Sequence, residues 1–313
     1  MNFPVFDLHC DTADALAGFG RAEPAELRKN NAHIDLERAS GLPGYAQCFA
    51  CFTTTSECVN PVDRFEKKMM AIQRELMKNE SAIRQVYSTK EIEENLSGGI
   101  MSAILTIEGP AGFGFDPELL EDLYKIGFRI TTLGWNEVNP LTGSHKTGGG
   151  LTDLGREYVK EAQRLGMIID VSHISDEGFW DIMDITNAPV IASHSNSRAV
   201  CNVSRNLTDE MFLAISKTGG VSGINLYPEF LGEAASIDTA CDHILHFMEL
   251  DPECMHISLG GDLDGVDTLP SDFFGVQDYP ELANRLLKRG LTEDHVYRIF
   301  WSNALGVMKK CSM

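Results

Sequence analysis

Two short apolar runs that each stop at a histidine limit what this chain can fold into more than any other stretch. Met167-Ile168-Ile169-Asp170-Val171-Ser172-His173 and Pro189-Val190-Ile191-Ala192-Ser193-His194 are apolar and β-branched at their centres, as in a strand covered on both faces, and each turns polar at Ser-His. Between them Ser175 can cap a helix whose inward face is Phe179, Ile182, Met183 and Ile185. The unit reads strand, helix, strand. In a parallel sheet, neighbouring strand ends lie about 5 Å apart, so the two imidazoles converge on one place and suit a shared ligand, most naturally a metal ion.

The same grammar runs along the rest of the chain. A first apolar run, Val5-Phe6-Asp7-Leu8, breaks at His9-Cys10-Asp11, and a second covers residues 45–52. The third, 101–107, ends at Glu108-Gly109-Pro110, and the fourth, 129–133, ends at Gly134-Trp135-Asn136. After the two histidine-ended runs, a seventh spans 220–225 and an eighth, 256–262, finishes in Asp262-Leu263-Asp264-Gly265. Helical patterns fall between them, such as Phe65, Met69, Ile72, Leu76 and Met77 at spacings that make one apolar stripe. Residues 14–39 are polar and irregular. Eight strands alternating with helices over 313 residues predict an α/β fold, a (β/α)8 TIM barrel filling residues 1–313 as a single domain. An open doubly wound sheet is the competing topology, but only closure places the first strand beside the last, and so His9 near Asp262.

Composition narrows the partners. A formal net charge of −20 argues against nucleic acid and against an anionic membrane surface. No run of about 18 apolar residues is present to span a bilayer, and residues 3–9 already read as a core strand where a secretory leader would lie. The expectation is a cytoplasmic protein. Its eight cysteines are scattered without a small-domain spacing, so reduced thiols are expected, and Cys48 and Cys51 read as small hydrophobes within a strand. Gly148-Gly149-Gly150 has no nucleotide-motif spacing and reads as a turn or lid. His243 and His246, with no carboxylate beside them, read as surface or packed histidines.

At the barrel's carboxyl rim, His9, Asp11, Glu108, His173 and His194 make a set of two carboxylates and three imidazoles. Five ligands are too many for one catalytic cation that keeps a position open. They suit two zinc-class cations about 3.5–4 Å apart, sharing a carboxylate and a water made acidic enough to yield hydroxide near neutrality. Asp262 is placed to move the proton.

Asp7-Leu8-His9-Cys10-Asp11, Ile107-Glu108-Gly109, Asp170-Val171-Ser172-His173, Ser193-His194-Ser195, Ser204-Arg205-Asn206 and Gly260-Gly261-Asp262-Leu263-Asp264-Gly265 resemble, in order, the membrane (renal) dipeptidase family, peptidase family M19, within the metallo-dependent hydrolase barrels. The resemblance implies a zinc-dependent dipeptidase with two Zn2+ per chain. His9 and Asp11 would hold one ion, His173 and His194 the other, and Glu108 would bridge them. It implies Asp262 as the proton shuttle in attack by the metal-bridging hydroxide, and Arg205 on the terminal carboxylate of a small dipeptide, with Tyr227 and Asn225 near the substrate. Where much of the family has a histidine beside the developing oxyanion, this chain has Trp135, whose indole N–H or the Asn136 amide can donate instead. A second amide or lactam hydrolase with the same ion pair, and a metal-binding barrel without catalysis, are the alternatives. A homodimer is left open.

Overall fold

The computed structural model describes residues 3–20, 23–56 and 58–311. Its strands are β1 (Val5–Cys10), β2 (Tyr45–Phe52), β3 (Ile83–Gln85), β4 (Met101–Glu108), β5 (Phe128–Thr132), β6 (Ile168–Asp170), β7 (Val190–Ile191), β8 (Ser222–Ile224) and β9 (Ile257–Leu259). All pairings between them are parallel and run β7-β6-β5-β4-β2-β1-β9-β8. A parallel bridge from Ala192 to Ser222 joins the two ends, so the sheet is a nearly closed eight-strand barrel. The α/β barrel expected from the sequence is the fold found.

β3 is the addition. It pairs with the amino-terminal half of β4, Ile83 opposite Met101, on a stretch that β5 leaves uncovered because β5 begins only opposite Leu105. Val86 follows β3 into the barrel's inner cluster.

Two apolar layers hold the structure together. Phe6, Leu8, Ala46, Cys48, Ile104, Ile130, Ile168, Ile191 and Val221 fill the barrel, and the terminal helix (Asn303–Lys310) packs into the same cluster through Ala304, Leu305, Val307 and Met308, with Trp301 just before it. The outer layer lies between strands and helices and includes Phe49, Cys51, Leu105, Phe128, Phe212 and Phe247. Alternation along β2 therefore sends Cys48 inward and Cys51 outward, both fully buried and unpaired.

The helices start where their caps allow. Ser175 accepts from the Gly178 amide and Thr152 from the Gly155 amide, each satisfying one of the free N–H groups of a first turn. A short helix at Thr12–Ala17 occupies sequence that reads as irregular, and the last helical stretch passes through a π turn at Arg298–Ser302. Glycine is required where the barrel is tightest. A Cβ on Gly223 or Gly260 would lie 2.0 Å or 1.7 Å from the Ser193 carbonyl oxygen, so β8 and β9 reach the chain beside His194 only because both positions lack a side chain.

Candidate metal centre

Because strands in a barrel end together, six polar side chains far apart in the chain meet at one rim. His9 lies near the end of β1 and Asp11 just after it, Glu108 closes β4, His173 follows β6, His194 follows β7 and Asp262 follows β9. All six are buried. His9 Nε2 lies 3.2 Å from Asp11 Oδ2 and 3.4 Å from Glu108 Oε2. The other oxygen of Glu108, Oε1, lies 3.0 Å from His173 Nε2 and 3.8 Å from His194 Nε2, and those two nitrogens are 3.0 Å apart. Glu108 thus stands between two donor groups and turns one oxygen to each.

The spacing suits cations. Two ligand atoms each about 2.0–2.1 Å from a tetrahedral ion sit about 3.3 Å apart, close to the separations found. Two trios, His9 with Glu108 and His194, and His9 with Asp11 and Asp262, keep their ligand atoms within 4.8 Å of one another. Asp11 Oδ1 is buried and without a hydrogen-bond partner, an acceptor in need of a positive charge.

Electrostatics point the same way. Burial, then the Arg205 charge, pushes His173 down to about 3, and burial with the charge on His9 drives His194 well below its ordinary value, so both rings are neutral and offer lone pairs. Burial and the neighbouring Glu108 push the Asp11 carboxyl up to about 7. Burial works to lower His9, but Glu108 and Asp11 outweigh it and raise that imidazole well above its usual range. Among the described side chains, three carboxylates crowd together and His9 is the imidazole beside them raised enough to carry a proton.

The backbone here is held in shape. His173 has φ +71° and Asp262 φ +56°, left-handed conformations that cost a non-glycine residue about 1 kcal/mol or more. Asp264, also left-handed, is tied down by the Thr12 hydroxyl at 2.7 Å, by the His33 backbone N–H, and by its own N–H donating to His33 Nδ1 at 2.9 Å. Asn225 is fully buried and donates its amide to Asp262 Oδ2 at 3.0 Å. It meets Asp262 directly.

Above the centre opens a cavity of about 300 Å³, lined by Trp135, Asn136, His145, His173, Tyr227, Phe230 and Asp262 with Lys146, Glu229 and Asp267 among others. Arg205 is buried beside it, its guanidinium 5.6 Å from the Phe230 ring. Nη1 donates to Ser195 Oγ at 2.6 Å, while Nε and Nη2 are buried without partners. Trp135 packs against Phe52, ring centroids 5.1 Å apart.

His145 is the site residue the sequence did not disclose. It sits in the aperiodic loop after β5, and its only signal was being the sole histidine there. Its Nε2 is 2.8 Å from Asn136 Oδ1, which also receives His173 Nδ1 at 3.0 Å, and its Nδ1 is 3.0 Å from Ser204 Oγ. Burial, then Arg205 and Lys146, lowers it to about 4, so it is neutral. With both rings donating to Oδ1, the Asn136 NH2 is the group left to face the cavity. His243 is a brace instead of a ligand, accepting from the Ser197 N–H and donating to the Leu231 carbonyl.

Comparisons with known proteins bear on the family and the fold. A profile described as membrane dipeptidase (peptidase family M19) matches residues 1–313. An uncharacterised dipeptidase of Schizosaccharomyces pombe is 36% identical over 216 residues, 67% of this chain and 53% of its own length. The chain therefore spans about half of that relative. An uncharacterised protein of Klebsiella pneumoniae is 31% identical over 264 residues, covering 80% of this chain and 97% of its own. A metallo peptidase from Rhodobacter sphaeroides, solved with a phosphinate mimic of the dipeptide L-Ala-D-Ala, superposes with a TM-score of 0.87 at 25% identity, over 99% of this chain and 100% of that one. On the whole-length match and the fold together, this chain belongs to the membrane dipeptidase family, peptidase family M19.

Proposed function

We propose that the protein is a dipeptidase that uses two zinc-class cations, with His9 and Asp11 on the first, His173 and His194 on the second, and Glu108 between them. The observation that carries this reading is the posture of Glu108, one oxygen toward His9 and the other toward His173 and His194. When bound, such a pair of cations supplies an acidified water and polarises the scissile carbonyl.

The chain's own residues do the rest. The unpartnered Nε and Nη2 of Arg205 are a fork for the substrate's terminal carboxylate, which a guanidinium grips in two places. Asp262, raised above the ordinary carboxylate range by burial and by Glu108, and oriented by Asn225, accepts the water's proton and delivers it to the leaving amine. The Asn136 NH2 donates to the oxyanion as it develops, while Trp135 and Phe230 cover the cavity and exclude water. A volume of about 300 Å³ is at the small end for ligand sites, which favours two residues over a longer peptide. The dipeptide mimic bound by the Rhodobacter relative supports the same substrate class, including a D-residue on the carboxyl side. Eight unpaired cysteines, seven of them buried, support a reducing compartment, the cytoplasm.

The test is a panel of L,L- and L,D-dipeptides assayed with zinc, next to a metal count. We expect about two equivalents of zinc per chain and release of free amino acids, with Asp262→Asn keeping its zinc and losing turnover by about 10²–10⁴. Two bound ions with no dipeptide cleaved would leave a binding barrel or a hydrolase of other amides.

A further inference from the structure

His194 is engaged through both ring nitrogens. Nε2 faces His173 and Glu108; Nδ1 lies 2.6 Å from Ser193 Oγ, which in turn lies 2.5 Å from Asp170 Oδ2. Asp170 is itself fixed, because its Oδ1 accepts the backbone N–H of Ser172 and that of Ser193, each at 2.9 Å. The carboxylate therefore spans β6 and the residue before His194.

A serine hydroxyl has one proton to give. Ser172 Oγ is 3.4 Å from Ser193 Oγ, whereas the carboxylate oxygen is at 2.5 Å and is much the stronger acceptor. With its proton on that bond, Ser193 Oγ can only accept from the ring, so the imidazole hydrogen must sit on Nδ1. Nε2 is left bare.

We propose that Asp170 and Ser193 are positioning residues that lock His194 in the Nδ1–H tautomer, with its Nε2 lone pair aimed at the centre. The proposal rests on reading that centre as a metal site, where a ligand histidine is oriented by the partner of its other nitrogen. Neither residue needs to meet substrate. Asp7 shows what the relay adds: its Oδ1 spans β1 and Gly261 in the same way, accepting from the His9 and Gly261 N–H groups, but its Oδ2 ends on the Tyr279 hydroxyl and is relayed to no imidazole. Asp7 clasps strands; Asp170 clasps strands and sets a tautomer.

Asp170→Asn tests it, because an asparagine keeps the acceptor for both backbone N–H groups while replacing Oδ2 with a donor. Ser193 would then receive that N–H, turn its own proton onto Nδ1, and force the ring hydrogen to Nε2. Proton-nitrogen NMR of the metal-free proteins should show His194 as Nδ1–H in the parent and Nε2–H in Asp170→Asn. Zinc affinity, read by chelator competition, should fall about 10–100-fold in Asp170→Asn and less in Ser193→Ala, which only unties the ring. An Nε2–H tautomer in the metal-free parent, or the same tautomer in parent and Asp170→Asn, overturns the relay. Should Asp170→Asn fail to fold, Ser193→Ala carries the test, and unchanged zinc affinity and ring signals there overturn it too. The two readings fail separately: a parent that takes up no zinc yet shows the tautomer switch removes the metal centre and keeps the hydrogen-bond relay.

Discussion

Arg205 shows what a single residue contributes to this site. A guanidinium stripped of water and given one hydrogen bond out of five donors is costly to bury unless something anionic completes it, and burial outweighs the opposing pull of Asp262, Asp170 and Glu108 to bring its pKa down to about 10. Lysine would keep the charge but lose the planar fork. Arg205→Lys should therefore cost about 2 kcal/mol, about 30-fold in kcat/KM, for a dipeptide with a free carboxylate. Dipeptide amides, already lacking that carboxylate, should show little difference between the two proteins. A second contrast separates the two donors near the oxyanion. Asn136→Asp retains the acceptor for His145 and His173 but loses the NH2, and should lower kcat by about 10² or more with zinc retained, while Trp135→Phe changes kcat by less than about threefold. Equal losses from both would return the role to the indole. At this scale, the side chains that meet at the rim were legible because a histidine or carboxylate that ends an apolar run is out of place there. His145 was not, since its pairing with Asn136 crosses an aperiodic loop and has no sequence period to betray it; Asn136 entered only as an alternative to the Trp135 indole.

Among the elements, strands were easier to foresee than to measure. β7 is only Val190–Ile191, although apolar residues extend beyond it, because the chain after Ile191 bends toward the rim to deliver Ser193 and His194. β3 escaped notice because three residues, one of them charged, carry no periodicity. In the helix Ile237–Leu250, His243 read from the sequence only as a surface or packed histidine, and its work was not legible: it joins the loop bearing Arg205, through Ser197, to the segment bearing Tyr227 and Phe230, through Leu231. Burial holds that imidazole at about 4, below its unfolded value of 6.5. The unfolded chain therefore takes up a proton that the folded one refuses as pH drops below 6.5, and the loss is complete near 4. Stability should be highest above pH 6.5 and decline by about 3 kcal/mol from this group across that window. Urea unfolding at a series of pH values checks it, with His243→Gln showing a shallower decline from a lower starting stability; parallel curves would remove His243 as the source.

For the whole molecule, the residues that would hold the cations lie on β1, β4, β6 and β7 and their adjoining loops, and β1 and β7 are not paired with one another. No local contact brings them together; only barrel closure does, helped at the β1–β9 seam by Asp7 and at the β6–β7 seam by Asp170. Cations that bind this assembled rim and not the unfolded chain must stabilise closure itself. Without them, Asp11, Glu108 and Asp262 crowd one another inside the protein, and the pKa of Asp11 near 7 shows how poorly that site tolerates a further negative charge. At a free zinc concentration about a thousand times the dissociation constant, each ion adds about 4 kcal/mol, which for a chain of 313 residues is roughly 6 °C in melting temperature. Chelation should lower the melting temperature by about that amount per ion removed, and zinc should restore it. His173→Ala, which withdraws one ligand from a single position, should keep about half of the chelator-sensitive shift. A melting temperature indifferent to both chelator and zinc would mean that the rim closes without cations and that the crowded carboxylates are settled by protons alone.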